Sequence, residues 1–111
     1  MSVIFTKTFT NQVAIAASSK WSPTSSELTE RELDKYGPFN EFEITNNSVL
    51  DDVKLQVLSE SNTGEELILG GTTKVFKPQD GIFIGRPVIA NDDSATEIAI
   101  GEIKVTLRKV V

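Results

Sequence analysis

The sequence offers few side chains for catalysis, since its 111 residues contain no histidine and no cysteine. Histidine is the usual proton carrier near neutral pH, and cysteine is the usual soft nucleophile or metal ligand. The remaining candidates are three pairs of adjacent carboxylates, Asp51-Asp52, Glu65-Glu66 and Asp92-Asp93. A glycosidase-type acid and base must face each other across a cleft, whereas adjacent residues on a strand point to opposite faces. We therefore interpret these pairs as solvated turn residues, assign no catalytic residue and expect a protein that is not an enzyme.

No motif in the sequence calls for a metal ion or a cofactor. Residues 91–97 include three carboxylates and an asparagine, whose oxygen atoms suit calcium, but their spacing does not match an EF-hand loop. Residues 70–74 are glycine-rich yet lack the Walker pattern for binding phosphate. Residues 46–48 have the form of a glycosylation site without any sign of secretion. We expect hairpin tips and turns at these positions, with no metal and no cofactor.

Two aromatic residues allow a binding role. Trp21 and Tyr36 are the only residues of their types, and they flank an irregular segment of the chain. Exposed rings in such a position stack on sugars or insert into a partner protein. The other interpretation, which we prefer, is that both rings close one end of the core.

Charge is distributed unevenly along the chain. The net charge of −5 argues against a nucleic-acid binder, which usually presents a basic face to phosphate. Residues 27–43 and 92–102 are mainly acidic, whereas residues 104–109 are basic. Blocks of opposite sign can form complementary faces between copies in a ring or lattice, although solvated surface is the simpler interpretation. The candidate interface residues are Phe5, Phe9, Trp21, Tyr36, Arg108 and Lys109.

The order of apolar and polar residues indicates short strands around one insert. Residues 1–17 predict a pair of N-terminal strands or an extended arm, because apolar residues alternate on both sides of a turn. Residues 18–38 form an irregular insert, with one short helix or a long loop near residues 25–37. Thr29 and Glu32 have the spacing of a capping box, and Ser25 or Ser26 is an alternative cap. Gly37-Pro38 would end the helix.

From Phe39 onward the alternation becomes regular. Phe42 and Ile44 alternate with polar residues, and so do Val53 and Leu55 after a turn, which predicts an antiparallel pair of strands. Further strands are expected near residues 67–69, 73–77, 82–84 and 88–90, separated by turns at 60–64, 70–71 and 78–81 and by a bend at 85–87.

The last strand changes its inward face at Gly101. Ile98 and Ile100 occupy even positions, whereas Ile103 and Val105 occupy odd ones, so a bulge or bend is expected near this glycine. Seven or eight short strands favour an all-β fold, a single antiparallel β-sandwich over residues 1–111, with a jelly roll as one form of it. No long apolar segment or signal peptide is visible, so we expect no membrane span and synthesis in a cytoplasm.

Three stretches carry a resemblance to a known group of proteins. They are Ile44-Thr45-Asn46-Asn47-Ser48, Lys77-Pro78-Gln79-Asp80-Gly81 and Gly101-Glu102-Ile103-Lys104-Val105. In these stretches the chain from Phe39 to Val111 resembles small all-β proteins that bacteriophages encode among their virion structural genes. The resemblance implies a subunit for capsid decoration, head-tail joining or a fibre, which binds other virion proteins and copies of itself and resides in the virion. The alternatives are a carbohydrate-binding β-sandwich module and, after it, a small carboxylate hydrolase.

Overall fold

Eight short strands and one short helix form the described part of the chain. The computed structural model describes residues 3–23, 27–36, 39, 41–58, 63–76 and 88–110. In chain order the elements are β1 (Val3–Thr10), β2 (Ser19–Trp21), α1 (Glu30–Tyr36), β3 (Glu41–Asn46), β4 (Val53–Leu58), β5 (Thr63–Ile68), β6 (Thr72–Phe76), β7 (Val88–Asn91) and β8 (Ile103–Val110).

The strands form two antiparallel sheets that pack against each other. Sheet I has the order β1-β8-β3-β6, and sheet II has the order β2-β7-β4-β5. The pairs are nested, because the first strand pairs with the last, the second with the seventh, the third with the sixth and the fourth with the fifth. The predicted all-β sandwich is confirmed.

Alternating side chains from both sheets fill the space between them. In β3, Phe42 and Ile44 are buried while Glu41, Glu43 and Thr45 are half-buried on the other face. This alternation was expected from the sequence and is confirmed. Each buried large apolar side chain contributes about 1.5 to 3 kcal/mol relative to exposure. The largest fully enclosed side chains are Phe39, Ile15, Leu28, Ile44, Leu55, Ile68, Ile89, Ile98, Ile103, Leu107, Val53 and Val105.

One expected strand pairing is wrong, and of the two alternatives for residues 1–17 the strand pair is not formed. The sequence predicts that β3 pairs with β4, but β3 pairs with β6 and β8 in sheet I, and β4 pairs with β5 and β7 in sheet II. β1 does not form a hairpin with residues 13–17, because it pairs with β8 at the edge of sheet I. Residues 13–17 supply one isolated bridge, between Ile15 and Ile98. Alternation shows which face of a strand is buried but does not show which strand lies beside it.

The predicted helix of the insert is confirmed as α1. The Glu32 N–H donates to Thr29 Oγ1 at 3.2 Å, and the Thr29 N–H donates back to Glu32 Oε1 at 3.2 Å. This reciprocal pair is the expected capping box. Lys7 Nζ donates to the same Oε1 at 2.6 Å, which ties α1 to β1. Burial would raise the pKa of the Glu32 carboxyl, but the hydrogen bonds from Lys7 and Thr29 outweigh it and hold this pKa below its usual value.

Gly101 lies in a turn just before β8. The Glu102 N–H donates to Ala99 O at 3.2 Å, and the φ angle of Gly101 is +85°. A positive φ at the third residue of a turn favours glycine. The predicted bend is confirmed, but the expectation that Ile98 and Ile100 share the inward face is wrong, since Ile98 is buried and Ile100 is 64% exposed.

Several expectations lie outside the described residues. They are residues 60–62 of one predicted turn, the turn at 78–81, the strand at 82–84, the bend at 85–87, the alternative helix caps Ser25 and Ser26, and the helix end at 37–38.

Candidate functional site

Three of the four aromatic interface candidates, Phe5, Phe9 and Trp21, pack against the core. The ring of Phe5 stacks on Phe39 with centroids 5.5 Å apart, and Phe9 meets the edge of Trp21 at 6.4 Å. Trp21 is only 5% exposed, so its ring presents no open face to a sugar. Its burial agrees with the interpretation of Trp21 as a core residue. The side chain of Tyr36 lies outside the described part of the chain.

The basic interface candidate Arg108 contacts acids of the same chain. Arg108 Nη1 lies 2.9 Å from a carboxylate oxygen of Glu41, and Arg108 Nη2 lies 3.7 Å from one of Glu43. Lys109 is half-buried on the next position of β8. Lys7 forms a similar pair with Glu32, another acid of residues 27–43. Lys7 and Arg108 are therefore ion-paired within the chain, and a role for the charged blocks in contacts between copies stays a prediction.

Four connections meet at one end of the sandwich, which we call the loop end. They are residues 11–18, 47–52, 69–71 and 92–102. Backbone hydrogen bonds join them directly: Asn47 N donates to Glu102 O at 2.8 Å, Asp92 N to Asp52 O at 2.9 Å, and Gly101 N to Asn11 O at 2.9 Å. Gly71 N donates to Asn46 O at 2.7 Å, at the residue where β3 ends. The connections therefore form one continuous surface.

Asn11 holds the first of these connections against the last. Its side chain is fully buried, and its Nδ2 donates to Val13 O at 2.7 Å and to Ala99 O at 3.0 Å. Its Oδ1 accepts from Gly101 N at 3.1 Å and from Ile103 N at 3.0 Å. A buried amide with every group paired fixes the backbone around it, because an unpaired group there would cost free energy.

Asn46 does the same for the connection between β3 and β4. It is fully buried, and its Nδ2 donates to Leu50 O and Ile68 O, each at 2.9 Å. Its Oδ1 accepts from Ser48 N at 3.0 Å and from Ser48 Oγ at 2.6 Å. Asn46 and Ser48 of the glycosylation-like sequence thus form a buried structural lock, and the side-chain nitrogen of Asn46 already donates two hydrogen bonds in the folded chain.

Asn91 is the third buried asparagine of the loop end. Its Nδ2 reaches three carbonyl oxygens, Ile15 O at 3.1 Å, Ala16 O at 3.3 Å and Thr96 O at 3.0 Å. Its Oδ1 accepts from Asp93 N at 3.0 Å. The three asparagines stand at or just after the ends of β1, β3 and β7, and together they make the loop end rigid.

Large apolar side chains are exposed on the hydrogen-bonded connections of the loop end. Val13 is 50% exposed, Val49 90%, Leu69 47% and Ile100 64%, and each belongs to a different connection of the loop end. Single exposed apolar residues are ordinary, whereas large exposed apolar patches mark sites of interaction, and these four side chains lie on connections that hydrogen bonds link to one another. The sequence did not predict this group, although a signal was present, since Leu69 and Ile100 come directly before glycine turns.

The loop end is also acidic. Its connections contain six carboxylates and no lysine or arginine, the acids being Asp51, Asp52, Asp92, Asp93, Glu97 and Glu102. Asp93 accepts hydrogen bonds from the backbone N–H groups of Ala95 at 3.0 Å and Thr96 at 2.6 Å, which lower the pKa of its carboxyl. Asp92 forms an ion pair with Lys54 Nζ at 2.9 Å. The exposed apolar side chains of the loop end therefore lie on connections that also carry these carboxylates.

Comparison of the chain with family models, with curated proteins and with solved structures finds no match. The resemblance to phage virion proteins therefore stays a prediction. Within the described ranges, no group of three or more carboxylates is placed to hold a metal ion. No helix in the described part of the chain is long and apolar enough to cross a membrane.

Proposed function

We propose that the chain is a non-enzymatic structural subunit of a viral particle and that the loop end is one of its contact surfaces. The observation that carries this proposal is the group of four exposed apolar side chains on four connections that are hydrogen-bonded to one another. A contact surface that is ordered before binding loses little conformational entropy when it binds. The three buried asparagines supply that order.

The viral setting comes from the resemblance of residues 39–111, and the strand order supports it. We infer that the nested pairing is that of a jelly roll, an eight-stranded architecture that occurs in viral capsid and lectin domains. Since one fold hosts many functions, the surface must decide between them. The carbohydrate-binding alternative has less support, because the ring of Trp21 is buried.

The proposal is tested by the sedimentation of the full chain expressed in its natural host. Particle-sized material that contains the chain is expected, together with its loss when Val13 and Val49 are both replaced by serine. The matched control replaces Val3 and Val75 by serine, since these valines are 55% and 41% exposed but lie outside the loop end. The control should stay in the particle fraction. Recovery of the unchanged chain only as a free 12.2 kDa monomer would overturn the proposal.

A further inference from the structure

We infer that the partner of the loop end is a different protein whose contact surface carries apolar side chains among lysines and arginines. This inference rests on the proposed association function and adds the chemistry of the partner. The apolar part follows from Val49 and Ile100, the most exposed large apolar residues of the loop end at 90% and 64%. Removing these side chains from water against other apolar groups would stabilise a complex.

The basic part follows from charge complementarity. Six carboxylates and no cation lie on the connections of the loop end. Asp52 is exposed at the foot of β4, and Glu97 is exposed in the connection that precedes β8. A partner with lysine or arginine at the rim would meet these charges, whereas an acidic partner would be repelled.

A second copy of this chain fits the loop end less well than a separate basic protein. Two loop ends that face each other across a twofold axis would oppose like charges, because the same patch meets itself. A head-to-tail contact would require a basic face, but Lys7, Lys54 and Arg108 are ion-paired within the chain. The exposed cations of the described residues are divided among β2, α1, β6 and β8; they are Lys20, Arg31, Lys35, Lys74 and Lys104.

The backbone beneath the exposed apolar side chains indicates that the loop end is ordered before its partner binds. Gly70 approaches the neighbouring connection so closely that a Cβ atom there would lie 2.8 Å from Ser48 O and 3.2 Å from the carbonyl carbon of Val49. Together with the lock at Asn46, this contact holds the connections that carry Val49 and Leu69 side by side. The spacing of these exposed side chains is therefore fixed before the partner arrives.

The inference is tested by NMR titration of the full chain with defined peptides. The first probe alternates leucine and lysine over about a dozen residues, and the two controls replace lysine by glutamate or leucine by serine. The leucine–lysine peptide should shift the amide signals of residues 11–18, 47–52, 69–71 and 92–102. Both control peptides should bind at least about tenfold more weakly, and raising NaCl from about 0.05 M to about 0.5 M should weaken the first complex at least about threefold.

Matched variants separate the apolar part from the charged part. Ile100→Ser should abolish the shifts, while Val75→Ser on the outer face of sheet I should leave them. Asp52→Asn should weaken binding, while Asp34→Asn on α1 should not. Equal binding of the leucine–glutamate peptide, or shifts located elsewhere, would overturn the inference.

The outcomes also distinguish this inference from the proposed function. Loop-end shifts that grow with protein concentration in the absence of peptide, with a rising sedimentation mass, would show that a second copy is the partner. That result would overturn the inference and leave the association function standing. Suppose that no peptide shifts the amide signals of the loop end, but the Val13 and Val49 serine variant is lost from the particle fraction. The inferred partner chemistry is then wrong, and the proposed contact surface is right. If that variant stays in the particle fraction as well, both proposals are wrong.

Discussion

Replacing Asn46 by alanine should lower the free energy of unfolding by about 4 kcal/mol. The figure comes from the four hydrogen bonds of its buried side chain, two donated to Leu50 O and Ile68 O and two accepted from Ser48. Each such bond contributes about 1 kcal/mol net, and the buried groups left unpaired add to the loss. A small domain has about 5 to 15 kcal/mol in total, so this one change removes a large share of its stability.

The neighbouring asparagine provides a matched control. Asn47 is exposed, and Asn47→Ala should change the stability by no more than about 0.5 kcal/mol. Both variants are compared by urea unfolding, with the fluorescence of the single tryptophan, the buried Trp21, as the signal. With a slope of about 2 kcal/mol per molar urea, the two midpoints should differ by about 2 M. Midpoints that agree within about 0.3 M would refute the reasoning from buried hydrogen bonds.

Asn46→Asp separates the loss of hydrogen bonds from the loss of volume. An ionised carboxylate still accepts from Ser48 but cannot donate to Leu50 O or Ile68 O, so burial beside these oxygens should raise its pKa above the ordinary value of about 3.9. Because the folded state then binds the proton more tightly than the unfolded state, the penalty is full near neutral pH and shrinks as the pH falls through the raised pKa. A penalty that is the same at neutral and acidic pH would show that the hydrogen bonds are not its origin.

Three further changes test other parts of the structure. Gly70→Ala should destabilise the chain by about 1 to 3 kcal/mol in urea unfolding, because its Cβ would meet Ser48 O, whereas Gly71→Asn should cost less, since its position is open and asparagine tolerates positive φ. The Asp93→Asn variant should be less stable than the unchanged chain above pH 3.8, the pKa of the Asp93 carboxyl in the unfolded chain. The difference in stability should vanish as the pH falls through the lowered pKa of Asp93 in the folded chain. Deleting residues 1–10 removes β1 and uncovers β8, so the circular dichroism melting temperature should fall sharply, and an unchanged value would contradict the pairing.

The sequence predicts the faces of the strands better than their neighbours. The alternation around Phe42 and Ile44 correctly identifies buried positions, because a strand with one buried face has a period of two. The same pattern is silent about pairing, so the turn after Asn46 suggested a hairpin where the chain instead crosses from sheet I to sheet II. Local signals worked where the structure is local, as in the capping box of Thr29 and Glu32.

The loop end escaped prediction because its members are distant in sequence. Asn11 bonds to Gly101 and Ile103, and these contacts require β1 to lie beside β8. An asparagine at the end of a strand indicates a turn, and only the tertiary pairing turns it into a lock between two connections. The apolar residues beside the glycine turns were visible, but their collection on one surface depends on the order of both sheets.

The order of charges along the chain is a poor guide to the charge of the surface, because antiparallel pairing places opposite blocks side by side. Glu41 lies directly across from Arg108 in the register of β3 and β8, so an acidic block and a basic block neutralise each other within sheet I. The connection at residues 92–102 has no basic strand opposite it and keeps most of its charge. Cross-strand ion pairs thus neutralise charge within sheet I, whereas the loop end carries six carboxylates on the connections that hold its exposed apolar side chains. This contrast supports the proposal of a basic and apolar partner.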